Sequence, residues 1–100
     1  MKVTNITNSR GRKVPNQFII TNGNVYTFQS YNSVIAIVDF DNSIITLGSD
    51  WNYSTTTSRY RNKFFETLGL DEMSDTASVR KAIKNGEVAG YKVVYKEDLK

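Results

Sequence analysis

The chain has 100 residues, no cysteine, no histidine and a formal net charge of +3. A chain of this length forms one domain with a modest core. The lack of cysteine excludes disulfides, thiolate metal sites and a cysteine nucleophile. The lack of histidine excludes the usual general base and the commonest metal ligand. Hydrophobic residues make up 39% of the chain and aromatic residues 12%, which argues for a folded protein.

The charge is unevenly distributed along the chain. Residues 1–16 contain four bases and no acid, and residues 17–50 contain three aspartates and no base. Residues 51–100 contain nine bases and seven acids. This balance permits nucleic-acid binding without indicating it strongly. Asn, Ser and Thr together number 29, which favours turns, helix caps or a surface that recognises a partner by hydrogen bonds.

The chain contains no apolar stretch that approaches the roughly 18 residues of a membrane span. Its first five residues, MKVTN, do not begin an apolar segment of signal-peptide length. We therefore expect a cytoplasmic protein without a membrane partner.

The first half of the chain is predicted to form strands. Residues 1–16 are predicted to be a basic N-terminal arm or an edge strand, and residues 17–100 a single α+β domain. Asn22-Gly23 between two β-prone runs predicts a hairpin in which Ile20 faces Val25 and Ile19 faces Tyr26. Residues 34–39 form a continuous apolar run, typical of a central strand with both faces covered or nearly so. A strand at residues 43–47 completes an antiparallel meander of four.

The second half changes to a helical period. Ser54 can cap a helix whose apolar stripe comprises Tyr60, Phe64 and Leu68. A second helix follows a cap at Ser74 or Asp75, with an apolar face formed by Val79, Ala82 and Ile83. Residues 88–95 are predicted to be one C-terminal strand. The order ββββααβ predicts an α+β fold with two helices packed on one face of the sheet.

The basic arm is the first candidate binding segment. Gly11 separates two arginines and gives the backbone freedom, so the segment can place Arg10, Arg12 and Lys13 along phosphates or carboxylates. The alternative is a solvated basic tail that shields an edge strand.

The start of the first predicted helix is the second candidate segment. Residues 54–58 are five consecutive hydroxyl residues, which exceed the needs of one cap. Arg59 and Lys63 share one helix face and Arg61 is offset from it, which suits a phosphate or an acidic partner. The alternative is an oversupplied cap beside a solvated helix face.

Aromatic residues in predicted loops are the third candidate. Tyr31, Trp51 and Tyr53 would serve as anchors for a protein partner if they are exposed. The alternative for Trp51 is that it fills the junction between sheet and helix. The predicted strands at residues 17–50 carry no base, which argues against a base-stacking platform on the sheet.

The acidic residues do not form a recognisable catalytic or metal-binding pattern. Asp39, Asp41 and Asp50 match neither a calcium loop nor a pair of carboxylates placed across a cleft. The sequence also lacks a phosphate-binding loop and a dinucleotide-binding glycine pattern. We therefore expect a protein that is not an enzyme and has no cofactor or bound metal.

Three blocks of the sequence, NSRGRKVPNQF (residues 8–18), FQSYNS (28–33) and TL followed by WNYSTT and Tyr60 (46–60), resemble a family of small uncharacterised proteins of bacteriophages, prophages and plasmids. The resemblance covers roughly residues 8–68. It implies an accessory protein of a mobile element, expressed in the cytoplasm of a bacterial host, and supplies no catalytic residues.

The leading hypothesis is therefore a non-enzymatic phage accessory protein that binds a host or phage protein and inhibits a host function, for example as an anti-defence protein such as an anti-CRISPR. One alternative is a small nucleic-acid-binding module that uses the basic arm and the first helix. Another is a small virion or assembly protein, for which homo-oligomers are expected.

Overall fold

A mixed sheet of seven strands and two helices make up the described part of the chain, residues 1–99 of a computed structural model. The strands are β1 (Lys2–Thr7), β2 (Lys13–Asn22), β3 (Val25–Ser30), β4 (Ser33–Asp39), β5 (Ile44–Gly48), β6 (Glu87–Val88) and β7 (Tyr91–Lys96). The helices are α1 (Thr55–Thr67) and α2 (Thr76–Asn85), connected through a 3₁₀ turn at Asp71–Met73. The α+β class is confirmed, with more strands than predicted.

The strand order across the sheet is β1-β2-β3-β4-β5-β7-β6. Strands β1 to β5 form an antiparallel meander because each is joined to the next by a short turn. Both helices lie in the connection from β5 to β7, so β7 returns parallel to β5. Strand β1 is an edge strand. Strand β2 continues across residues 16 and 17, between which the sequence analysis placed the boundary of the arm and the domain.

The hairpin of β2 and β3 forms as predicted, but its predicted register is wrong. Asn22 pairs with Val25, so the turn consists of Gly23-Asn24, and Ile19 faces Phe28. Gly23 has a φ of +61°, a backbone conformation that glycine adopts without strain. In this register Asn24 makes tertiary contacts: its side chain donates to Asp41 at 2.9 Å, and its carbonyl accepts the backbone N–H of Phe40 at 3.0 Å.

The predicted C-terminal strand is two strands. Val88 pairs with Tyr91 across a two-residue turn of Ala89-Gly90, and both turn residues have positive φ. Asn-Gly or Asp-Gly ordinarily occupies a turn of this kind. Because alanine stands at the first position here, the sequence gives no clear signal for the turn.

The helix ends are close to those predicted. The Ser54 hydroxyl accepts the backbone N–H of Thr57, and the Asp75 carboxylate accepts that of Ser78. Hydrogen bonds from Ser78 hold the pKa of Asp75 below its usual value, and the charge of Arg61 contributes in the same direction. Helix α2 ends at Asn85, before Gly86 in the left-handed conformation.

The core lies between the helices and one face of the sheet. The rings of Phe28 on β3 and Phe64 on α1 stack with their centroids 5.7 Å apart. Val79 and Ala82 of α2 join the same cluster as Val93 on β7, which confirms the predicted apolar face of α2.

Strand β4 is central, as predicted, and none of its residues is exposed, although the helices cover only one of its faces. A bulge at Ile35 turns Ile35 and Ala36 toward the helices, where both are buried. Ile37 points to the opposite face and is only half-buried. Two helices are too few to cover both faces of a sheet this wide, so one face stays open.

We predict that Gly48→Ala lowers the free energy of unfolding by about 1–3 kcal/mol, because a Cβ at this position would lie 2.6 Å from the backbone oxygen of Val34. Urea denaturation would measure the loss. Ser49→Ala, at the exposed neighbouring position, should stay within about 0.5 kcal/mol of the wild type. Equal stability of the two variants would contradict the close approach at Gly48.

Candidate binding surfaces at one end of the sheet

Two connecting segments and strand β2 meet at one end of the sheet. The backbone N–H of Tyr31, in the turn between β3 and β4, donates to the Asn16 carbonyl at 2.7 Å. The Ser33 hydroxyl donates to Asp50 at 2.8 Å, which ties the same turn to the loop before α1. These contacts bring together the three sequence blocks that carry the family resemblance.

A cleft of about 550 Å³ opens between the β3–β4 turn and the loop that leads into α1. Tyr31 and Tyr53, two of the predicted anchors, line it, and their side chains are 58% and 78% exposed. We call this region the tyrosine cleft. The rest of its lining is polar except for one residue and comprises Ser30, Asn32, Ser33, Ile35, Asp50, Ser54, Thr56 and Thr57.

The backbone at Tyr31 adopts the left-handed conformation, with φ +55°. A residue other than glycine in this conformation carries a cost of order 1–3 kcal/mol, which surrounding contacts must offset. Here Asn16 accepts from the Tyr31 N–H, and the Gln29 side chain donates to the Tyr31 carbonyl at 2.8 Å. The exposed ring of Tyr31 therefore sits on a backbone that is held in place from both sides.

A series of hydroxyl groups joins α1 to the sheet beside the cleft. Besides capping the helix, Ser54 donates to the Thr57 hydroxyl at 3.1 Å, and the hydroxyls of Thr57 and Ser30 lie 3.3 Å apart. Ser58 donates to the Asn52 side chain at 2.9 Å. Three of the five consecutive hydroxyl residues thus have local structural roles, and Thr56 faces the cleft.

Gln17 lies behind the cleft, and the sequence analysis did not identify it as a candidate site residue. It pairs with Ser30 across β2 and β3, it is 1% exposed, and neither atom of its amide group has a hydrogen-bond partner in the described chain. A buried unpaired amide costs about 1–3 kcal/mol. The only sequence signal was a glutamine at an inward-facing position of a strand.

A contact between α1 and the end of β1 joins the two segments that carry five of the six predicted cations. The ammonium group of Lys63 on α1 donates to the Thr7 carbonyl at the end of β1, and Thr7 pairs with Lys13 on β2. The turn between β1 and β2 carries the other two arm cations. We call this surface the basic patch; it comprises Arg10, Arg12, Lys13, Arg59 and Lys63.

The turn that carries Arg10 and Arg12 is held by Asn8. Its side-chain oxygen accepts the backbone N–H groups of Arg10 and Arg12 at 2.9 and 3.0 Å. Both arginine side chains remain exposed. Glu66 is the acidic residue in the shallow groove that Arg59 and Lys63 line.

Arg61, the sixth predicted cation, is fully buried and does not belong to the basic patch. It donates to the Trp51 carbonyl at 2.6 Å and to the side chains of Asn62 and Thr76, both at 2.8 Å. Burial lowers the pKa of Arg61 to about 10, and the charge of Arg80 contributes in the same direction, while Asp75 opposes it. The guanidinium is therefore still protonated at neutral pH.

Trp51 is half-buried and packs against the core, with the guanidinium groups of Arg61 and Arg80 over its ring at 5.3 and 5.5 Å. These contacts correspond to the structural alternative for Trp51, in which it fills the junction between sheet and helix. Trp51 and Arg61 together connect the loop before α1 to both helices.

In residues 1–99, no cluster of three acidic or histidine side chains is arranged to hold a metal ion. The helices in this range are too short or too polar to span a membrane.

We predict that Arg61→Ala lowers the free energy of unfolding by about 3 kcal/mol, because it leaves a cavity and an unpaired carbonyl at Trp51. Arg80→Ala, at an exposed position over the same ring, should cost at most about 1 kcal/mol. Urea denaturation followed by the fluorescence of Trp51, the single tryptophan, measures both. Equal losses would show that Arg61 does not have this structural role.

Comparison with curated proteins and with solved structures gives no match for the chain. A family described as being of unknown function, DUF8033, matches residues 1–86, a range that includes the tyrosine cleft and the basic patch. The chain therefore belongs to the DUF8033 family.

Proposed function

We propose that the protein is a non-enzymatic binding protein and that a partner protein docks at the tyrosine cleft. The observation that carries this proposal is the exposure of Tyr31 and Tyr53 on one cleft. Tyrosine is enriched among the residues that dominate binding energy, because its ring offers a large contact area at a low cost in conformational entropy.

The polar lining of the cleft supports a protein partner over a polyanion. Asn32 and Thr56 offer uncharged hydrogen-bonding groups, and Asp50 is the one charged residue in the lining. A carboxylate at this position repels phosphate and attracts a basic segment of a partner. The high content of Asn, Ser and Thr agrees with recognition by hydrogen bonds.

The resemblance to phage, prophage and plasmid proteins gives this proposal its biological setting. We propose a phage accessory protein whose partner is a host protein, with inhibition of a host function, such as a defence system, as the outcome of binding.

We predict that Tyr31→Ala combined with Tyr53→Ala weakens binding of the partner at least about 30-fold, as expected when hot-spot residues are truncated. The partner would be recovered from host lysate on the immobilised protein and its affinity measured by calorimetry. Tyr95→Ala is the matched control, since Tyr95 is 42% exposed and does not line the cleft. Failure to recover a stoichiometric protein, or equal affinities for the double variant and the wild type, would refute the proposal.

A nucleic-acid partner is the second candidate, and the contact of Lys63 with Thr7 favours it. Through this contact the cations of α1 lie beside those of the β1–β2 turn, so one phosphate backbone could reach both groups. Most of the affinity would then come from phosphate contacts, which do not depend on the base sequence and weaken as the salt concentration rises.

For this candidate, we predict that replacing Arg10, Arg12 and Arg59 with alanine makes the negative slope of log affinity against log salt less steep by about 2 to 3. Each phosphate contact contributes about 0.7 to 0.9 to the magnitude of this slope. A variant with alanine at Lys81, Lys84 and Lys92 loses the same net charge away from the basic patch and should keep the slope. Fluorescence anisotropy with labelled single-stranded and duplex DNA measures it. Equal slopes for the two variants would rule out the basic patch as the phosphate-binding surface.

A further inference from the structure

Asp50 connects the two segments that form the tyrosine cleft. Its carboxylate accepts the Ser33 hydroxyl of the β3–β4 turn at 2.8 Å, and its backbone carbonyl accepts the Tyr53 N–H at 3.1 Å. Tyr31 belongs to the same turn as Ser33, and Tyr53 belongs to the same loop as Asp50. All four residues line the cleft. Two exposed aromatic rings and one carboxylate therefore share a single opening.

No positive side chain neutralises Asp50 within the cleft. The lining contains neither lysine nor arginine. Among residues 1–99, the Ser33 hydroxyl is the one hydrogen-bond partner of the carboxylate, and it binds Oδ2 only. Oδ1 and a second lone pair of Oδ2 thus stay available as acceptors. Because Asp50 is half-buried, its charge is screened less by salt and water than that of a fully exposed carboxylate.

We propose that the tyrosine cleft binds an arginine side chain of the partner protein, with the guanidinium group paired to Asp50 and stacked on the tyrosine rings. This inference rests on the proposed docking of a protein at the cleft and names the side chain that anchors it. A guanidinium group presents its N–H groups as a planar fork that matches the two oxygens of a carboxylate. Its flat face also stacks on aromatic rings. The cleft offers both kinds of partner.

The rest of the cleft suits the same occupant. Its volume of about 550 Å³ lies in the range of pockets that enclose small ligands, so an arginine side chain can enter together with the backbone that carries it. A guanidinium group has five N–H donors, more than one carboxylate can accept. The side-chain oxygens of Asn32 and Thr56, which also line the cleft, supply further acceptors.

Other anchors fit this combination of groups less well. An ammonium group is a compact, strongly hydrated charge, and it lacks the planar fork that pairs with both carboxylate oxygens. A neutral anchor would leave Asp50 covered by the partner without a counter-charge, and burial of an unpaired charge is costly. A phosphate group would be repelled by the carboxylate.

The test uses the full chain and acetyl-arginine amide as the probe, with binding followed in two-dimensional NMR spectra of the backbone amides. The wild type should show saturable shifts at Ser33, Asp50 and Tyr53. Acetyl-citrulline amide is the matched probe, because it has nearly the same shape and no charge, and it should give no saturable shifts. Equal binding of the two probes, or no saturable shift with the arginine probe, would overturn the proposal.

Asp50→Asn is the decisive variant, because its amide oxygen can still accept the Ser33 hydroxyl while the charge is lost. It should weaken binding of the arginine probe at least about tenfold, as expected for the loss of hydrogen bonds to a charged group. Asp41→Asn makes the same change at an exposed position outside the cleft and should bind like the wild type. Equal affinities of Asp50→Asn and the wild type for the probe would contradict the pairing with Asp50.

A second pair of variants tests the stacking. Tyr53→Leu should weaken binding of the arginine probe about threefold, because an aliphatic side chain has no aromatic face for the guanidinium group. Tyr53→Phe keeps the ring and should retain the affinity. Both changes are at a side chain that is 78% exposed, and circular dichroism melting would establish that each variant is folded. Equal affinities of the leucine and phenylalanine variants would contradict the stacking.

The partner recovered from host lysate separates this inference from the proposed function. A partner whose affinity depends on Tyr31 and Tyr53 but is unchanged by Asp50→Asn would leave docking at the cleft in place and overturn the arginine anchor. Arginine-specific binding of the probe without a recovered partner would refute the proposed function and support the arginine site.

Discussion

The packing of α1 and α2 on one side of the sheet is the constraint from which the surfaces of this protein follow. The stacked rings of Phe28 and Phe64 fix α1 on the sheet, and Val79 of α2 joins the same buried cluster. Both helices lie in a single connection, between β5 and β7, and that connection crosses one face only. The opposite face has no element left to cover it, although its central strands are rich in apolar residues.

The same arrangement explains why the candidate binding residues gather at one end of the sheet. In a meander, alternate turns lie at the same end, so the turn after β1 and the turn after β3 are neighbours. Strand β5 finishes at that end too, and α1 begins shortly after it. Exposed tyrosines and arginines that are far apart in sequence thus come together without any long loop.

Buried polar groups connect this end of the molecule to the core. Arg61 bridges the loop before α1 and the start of α2 through Trp51 and Thr76, and the hydroxyls of Thr57 and Ser30 join helix and sheet. Hydrogen bonds of this kind are directional, so they fix the position of the α1 N-terminus more precisely than apolar contacts alone. The tyrosine cleft lies against this N-terminus, so the same hydrogen bonds position part of its lining.

The sequence by itself determined the elements whose signals are local. Helix caps at Ser54 and Asp75, the hairpin around Gly23 and the apolar face of α2 each depend on residues within one or two turns of chain. Tertiary structure alone decided the β2–β3 register, the burial of Arg61 and Gln17, and the convergence of Lys63 with the β1–β2 turn. It also decided that the helices cover β4 on one face only, since an apolar run carries no information about how many helices are present to cover it. The physical reason is the same in each case: burial and pairing depend on which distant segment arrives as a neighbour, whereas capping and periodicity depend on the chain's own geometry.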